Sequence, residues 1–186
     1  ELGILIDQYK KTHESKELLI LKEFPGRKFQ KCPGSQDVIC CNYYLLNTCF
    51  NCLYDCTYCF LNSYLNSFGI IQFVNLDDLH ESVIAHASDP NRIYRVGTGE
   101  FTDSLMMDEI TGIAERLITN TAKHKNIFLE FKTKSDHVDH LFDIKQKGST
   151  VLAWTLNTSV NIDNYEKDTA RLESRINAAA RSAAAG

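Results

Sequence analysis

The sequence predicts an α/β chain with parallel strands, and three observations point there. Short apolar runs alternate with stretches whose apolar residues recur at helical spacing, and the alternation repeats about four times. Most of the apolar runs pass directly into glycine or polar residues. A dense group of cysteines follows the first run, the place where parallel α/β folds gather ligands. The 186 residues are 44% hydrophobic and 24% charged, ordinary for one domain, and no stretch approaches a membrane span. A net charge of −4 gives no general pull toward nucleic acid, and it does not exclude such a substrate.

Residues 1–36 read as an N-terminal extension, in which a helix-compatible start over 5–21 is followed by the turn signals Pro25-Gly26 and Pro33-Gly34. Residues 37–186 read as the α/β domain. Its first strand is the apolar and aromatic run 38–46, which lacks helical spacing. Leu76, Leu79, Val83 and Ile84 then make a helical face that Asn75 can cap and that ends near Asp89-Pro90. The second strand is 92–96. A helix over 108–124 follows, turning Ile110, Ile113, Leu117 and Ile118 inward. The third strand is 127–131, with a helix carrying Val138, Leu141, Phe142 and Ile144. The fourth is 151–156, with a helix over 169–185 whose Arg and Glu residues face outward. Strands of this kind are joined by right-handed crossovers, and four units do not close a barrel. The chain begins at Glu1 and stops at Gly186, which reads as a helix C-cap leading into another element, so a fragment is expected.

The cysteines carry the chemistry. Cys52-Leu-Tyr-Asp-Cys56-Thr-Tyr58-Cys59 gives C-x3-C-x2-C with an aromatic residue before the last cysteine. Three thiolates in a short loop can hold three corners of a four-iron four-sulfur (4Fe-4S) cluster, leaving the fourth iron open to a small molecule. Cys49 extends the pattern to C-x2-C-x3-C-x2-C, so a closed four-cysteine metal or electron-transfer site is the competing reading. Structural zinc sites usually separate their cysteine pairs by more than three residues. Bacterial ferredoxin runs end in proline, where this chain has Phe60. Seven cysteines and no signal segment argue against disulfides and for a reducing cytoplasm.

Further site candidates stand just after the other strands. Gly97-Thr98-Gly99-Glu100-Phe101-Thr102-Asp103 offers close backbone approach and acceptors for ribose hydroxyls or an ammonium group, or it is a capped turn. Lys132-Thr133-Lys134 offers cations to a carboxylate, or its lysines are simply solvated at a strand end, and the polar segment 155–157 follows the fourth strand. His137 and His140 share a helical face, more simply as polar positions than as ligands of a second metal. Tyr43, Tyr44, Tyr54 and Tyr64 read as packing, and Cys32, Cys40 and Cys41 as buried thiols.

The cysteine motif resembles that of the radical S-adenosyl-L-methionine (SAM) enzymes. Within them the chain is similar to the spore photoproduct lyase family from about Lys31 to Gly186. The likeness rests on Lys31-Cys32-Pro33-Gly34, Cys40-Cys41, Thr57-Tyr58-Cys59-Phe60-Leu61, the block from Thr133-Lys134 to His140-Leu141, Thr155-Leu156-Asn157, and Thr169-Ala170-Arg171-Leu172-Glu173-Ser174-Arg175-Ile176. The resemblance implies a partial (β/α) TIM-like radical SAM barrel of about four βα units. In it Cys52, Cys56 and Cys59 hold the cluster, while Tyr58, Thr102, Asp103, Lys134 and Thr155 surround SAM. It implies a lyase that repairs thymine dimers in damaged DNA by hydrogen abstraction, fed by a flavodoxin- or ferredoxin-type reductant.

Two residues depart from that family. Glu100 occupies the place of the cysteine that returns the hydrogen atom, and Phe60 stands where the family carries a tyrosine that relays it. A carboxylate cannot do a thiol's work, so either another residue supplies the hydrogen, or the chain is a radical SAM enzyme acting on a non-DNA substrate, which stays open as a second reading.

Overall fold

The computed structural model describes residues 2–26, 29–34, 36–39, 42–65, 68–145 and 148–186. Its strands are β1 (Leu19–Lys22), β2 (Phe29–Lys31), β3 (Tyr43–Leu46), β4 (Cys49–Phe50), β5 (Asp55–Cys56), β6 (Ile70–Phe73), β7 (Tyr94–Gly97), β8 (Ile127–Thr133), β9 (Ser149–Trp154) and β10 (Glu166–Lys167). Its α-helices are α1 (Leu2–Tyr9), α2 (Leu61–Tyr64), α3 (Leu76–His86), α4 (Asp108–Thr111), α5 (Ile113–Thr121), α6 (Ser159–Tyr165) and α7 (Leu172–Ala185).

The main sheet has the order β2-β3-β7-β8-β9, with β3, β7, β8 and β9 parallel and β2 antiparallel on one edge. In β8, residues 127, 129, 131 and 133 are buried while the residues between them are more open, the alternation a pleated strand imposes. The buried set packs with Leu46 and Val96 under Leu79 and Val83 of α3 and Ile113, Leu117 and Ile118 of α5. On the opposite face, Tyr43 donates to Glu130 at 3.0 Å, and Arg95 pairs with Glu130 at 3.2 Å. A second sheet, β1-β6-β4, and a two-stranded pair, β5 with β10, complete a mixed α/β fold. Among the described residues the sheets do not close into a barrel.

Several elements differ from the sequence reading. The first strand starts at Tyr43, and Val38 and Ile39 are exposed; Cys40 and Cys41 lie outside the described residues. The second strand starts at Tyr94, leaving Ile93 exposed. The helix expected over 108–124 breaks at Gly112, whose φ of 60° is left-handed, and Ile110 points outward at 81% exposure. The helix expected around 138–144 is one 3-10 turn, Asp139–Leu141. Asn75 stands at the start of α3, but its side-chain oxygen accepts from the Phe24 amide instead of capping. The start read as helix over 5–21 ends α1 at Tyr9 and turns into strand β1. β1 pairs with β6, a strand the pattern did not reveal. Tyr64, read as packing, is 63% exposed and stacks on Phe101.

Candidate functional site

The cysteine loop leaves β4 through Asn51, whose φ of 72° asparagine tolerates because its short amide bonds locally. Asn51 accepts from the Cys52 amide at 2.9 Å and donates to the Gly69 carbonyl at 3.0 Å. Other segments then fasten the loop. The Leu53 amide meets Met106 Sδ at 3.0 Å, and Lys16 donates to the Tyr54 carbonyl and pairs with Asp55 at 3.1 Å. β5 pairs antiparallel with β10, setting Cys56 opposite Glu166, and the Thr57 amide donates to the Tyr165 carbonyl at 2.9 Å. The Cys56 carbonyl accepts from the Cys59 amide and from Asn62, both at 3.0 Å, closing the turn between the last two cysteines. Short strands and tight turns replace any long element here, so the loop's shape depends on its neighbours.

Residues after the parallel strands arrive at the same end of the sheet. Asp103 accepts from the Thr133 hydroxyl at 2.6 Å and the Leu105 amide at 3.0 Å on one oxygen, and from the Lys134 amide at 2.7 Å on the other. Both oxygens are thus engaged in joining the turn after β7 to the end of β8. Burial pushes the Asp103 carboxyl up, against these donors. Thr102 is buried, its hydroxyl bonded to the Asp103 carbonyl at 3.3 Å and close to the Cys49 thiol. Lys134 lies near Cys56, its charge acting on that thiol. The Thr155 amide donates to the Thr133 carbonyl at 3.0 Å, linking the ends of β9 and β8. Glu100 accepts from Asn47 at 3.2 Å, and burial raises its pKa.

Tyr58 is 56% exposed, yet its hydroxyl donates to Glu166 at 2.5 Å. Glu166 pairs in turn with Arg175 at 2.7 Å, and neither side chain is exposed at all. Among the described residues that Glu166 oxygen has no well-aligned donor, so the contact is an ion pair more than a hydrogen bond. Burial raises the Glu166 pKa, but the Tyr58 donor, the Arg175 guanidinium and the Asn157 donor outweigh it and hold the group below the usual carboxylate range. The sequence reading placed the charges of α7 outward, and Arg175 corrects it. Arg175 lies three residues from Leu172 and from buried Ala178, a helical stripe in which an arginine must find a buried partner.

His137 and His140 do not share a site. His140 meets Asp108 at 2.8 Å, while His137 lies 3.2 Å from Glu109. Among the described residues no three His, Cys, Asp or Glu side chains converge as ligands of one metal ion. A cluster ligated at separate corners needs less convergence than a single tetrahedral ion. Burial pushes the Cys52 thiol up to about 12 and raises Cys56. Cys49, pushed up to about 11, sits behind the loop with its thiol toward the Phe50 and Asn51 carbonyls.

Residues 10–186 match the profile of the spore photoproduct lyase family. The spore photoproduct lyase of Geobacillus sp. (strain Y412MC61) is 30% identical over 145 residues, 77% of this chain and 42% of that protein. That of Bacillus subtilis (strain 168) is 30% identical over 137 residues, 73% of this chain and 40% of that protein. A solved spore photoproduct lyase variant with bound AdoMet and dinucleoside spore photoproduct has a TM-score of 0.80 at 28% identity, covering 90% of this chain and 48% of its own. Another, with dinucleoside spore photoproduct, has a TM-score of 0.82 at 26% identity, covering 97% and 51%. The chain thus spans about half the length of the relatives it matches. A match over nearly the whole chain, with a fold that agrees, establishes that it belongs to the spore photoproduct lyase family.

Proposed function

We propose that residues 37–186 form the N-terminal part of a radical SAM barrel, preceded by an extension over 1–36, in a cytoplasmic enzyme that repairs thymine dimers in damaged DNA. The observation that supports this best is the position of the cysteine loop, fastened through Leu53 to the turn after β7 and through β10 to the segment after β9, beside the carboxyl ends of parallel strands. Cys52, Cys56 and Cys59 would hold a 4Fe-4S cluster, with SAM at the open corner and a flavodoxin- or ferredoxin-type protein as reductant. When bound, these groups would supply the radical chemistry that abstracts a hydrogen atom from the substrate. Lys134 offers its ammonium to the SAM carboxylate, and Tyr58 offers an exposed ring face. Thr102 and Thr155 line the strand ends, and Asp103 holds those ends in register.

Anaerobic reconstitution with iron and sulfide, then reduction and chromatography for 5'-deoxyadenosine, tests the class. Cys52→Ala, Cys56→Ala and Cys59→Ala should each abolish product, while Cys49→Ala should keep cluster and product. Loss of iron in Cys49→Ala would favour a closed four-cysteine site instead.

Glu100 supports a second reading within the same class. Its carboxylate, held by Asn47, cannot return a hydrogen atom as a thiol does. A relative acting on another substrate would make 5'-deoxyadenosine yet leave thymine-dimer DNA unrepaired.

A further inference from the structure

We infer that Glu166 and Arg175 are positioning residues for the SAM subsite, fixing the angle of the Tyr58 ring and the strand end that carries Thr155. The inference rests on the proposed reading of the cysteine loop as a cluster and SAM site.

Arg175 reaches four partners from a fully buried position: Nε donates to the Ala170 carbonyl at 2.8 Å, Nη1 to the Thr155 carbonyl at 2.8 Å, and Nη2 to Thr169 Oγ1 at 2.6 Å, beside its ion pair with Glu166. Glu166 sits opposite Cys56 through its backbone and accepts from Tyr58 and Asn157 through one side-chain oxygen. The Ala170 amide donates to the Lys134 carbonyl at 3.1 Å. Tyr58, Lys134 and Thr155 are therefore all tied to residues 166–175, which themselves lie outside the cysteine loop. A buried ion pair is seldom the most stable way to fill a core, because well-packed apolar residues often do as well or better. What the guanidinium adds is geometry, since its planar fork sets several acceptors at fixed angles. Tyr58 shows the result: its backbone is held in the Cys56–Cys59 turn and its hydroxyl by Glu166, yet more than half the residue stays open. A ring pinned at both ends presents one face at one angle.

The test uses the reconstituted full-length protein and two variants, Tyr58→Phe and Glu166→Gln. Tyr58→Phe removes only the hydroxyl that Glu166 accepts from and keeps both members of the buried ion pair, so it reports even where Glu166→Gln misfolds. Equilibrium dialysis should show SAM affinity lower by at least about tenfold in each, the loss expected for a hydrogen bond to a charged group. Iron and sulfide content should be unchanged, and the KM for SAM should rise more than kcat falls. Tyr58→Phe/Glu166→Gln should be no worse than the weaker-binding single variant, because both act through one contact. Unchanged SAM affinity in Tyr58→Phe, or losses that simply add, would overturn the inference while leaving the cluster reading intact. Absence of SAM binding by the unsubstituted protein would overturn both.

Discussion

Gly97 lies where β7 passes the Tyr43 ring. A Cβ there would stand 1.9 Å from the Tyr43 hydroxyl and 2.5 Å from its Cζ, and that hydroxyl is held by its bond to Glu130. Gly97→Ala must therefore displace Tyr43 and break the bond, at about 1–3 kcal/mol by the usual cost of overpacking. Urea denaturation should show that loss, and it should shrink in a Tyr43→Ala background where the obstacle is gone. His80 gives a second prediction at this scale. Its Nδ1 is buried without a hydrogen-bond partner among the described residues, and burial, with His124 and Lys123 nearby, lowers its pKa below the usual 6.5. The folded state then takes up the proton less readily than the unfolded chain. Its contribution to stability is complete above about pH 6.5 and is lost as pH falls through the folded value. The urea midpoint should drop between about pH 7.5 and 5.5, and His80→Gln should reduce the drop. An undiminished drop in the variant would assign the effect to other groups.

Between elements, Asp108 carries the break in the helix that the sequence suggested was continuous. One oxygen accepts from the Ala114 amide at 2.8 Å, satisfying a donor at the start of α5, and the other meets His140 at 2.8 Å. Asp108→Ala should cost about 2–3 kcal/mol, combining a lost cap with a buried donor left unpaired, and calorimetry would register it as a lower Tm. The same region shows what patterning conveys. Val138, Leu141 and Ile144 are buried at a strict three-residue spacing, which suits a 3-10 turn as well as an α-helix. Their inward direction was legible and the element type was not. α3 and β8 were readable because their periods run long enough to be unambiguous. β1 and β6 are four residues each and settle through pairing with distant strands, β1 with β6 and β6 also with β4, which no local pattern reports. At the site, the cysteine spacing was visible in the chain. The Glu166–Arg175 pair was not, because its members stand in a two-residue strand and in the helix that follows, a separation that no helical or strand period marks.

At the scale of the molecule, the parallel sheet terminates at β9, and an unpaired strand edge is a template for another chain. Beside β9 lies an apolar groove of about 440 Å³, bordered by Ile118, Phe142, Trp154 and Ala183, with Val151 of the strand 42% exposed. An edge that offers backbone groups and a groove that offers apolar surface act together, because strand addition along β9 would also cover the groove. The 186-residue chain should therefore self-associate as its concentration rises. Light scattering after size exclusion should show the mass climbing above that of one chain at roughly tens of micromolar, within the range where exposed edges cause association. Val151→Lys places a charge on the exposed strand, the device by which edges are protected, and should return the mass to that of one chain. A monomer at all concentrations would mean that this edge is already protected by its twist or its flanking side chains. Association that persists in Val151→Lys would move the contact to the other edge of the sheet, at β2.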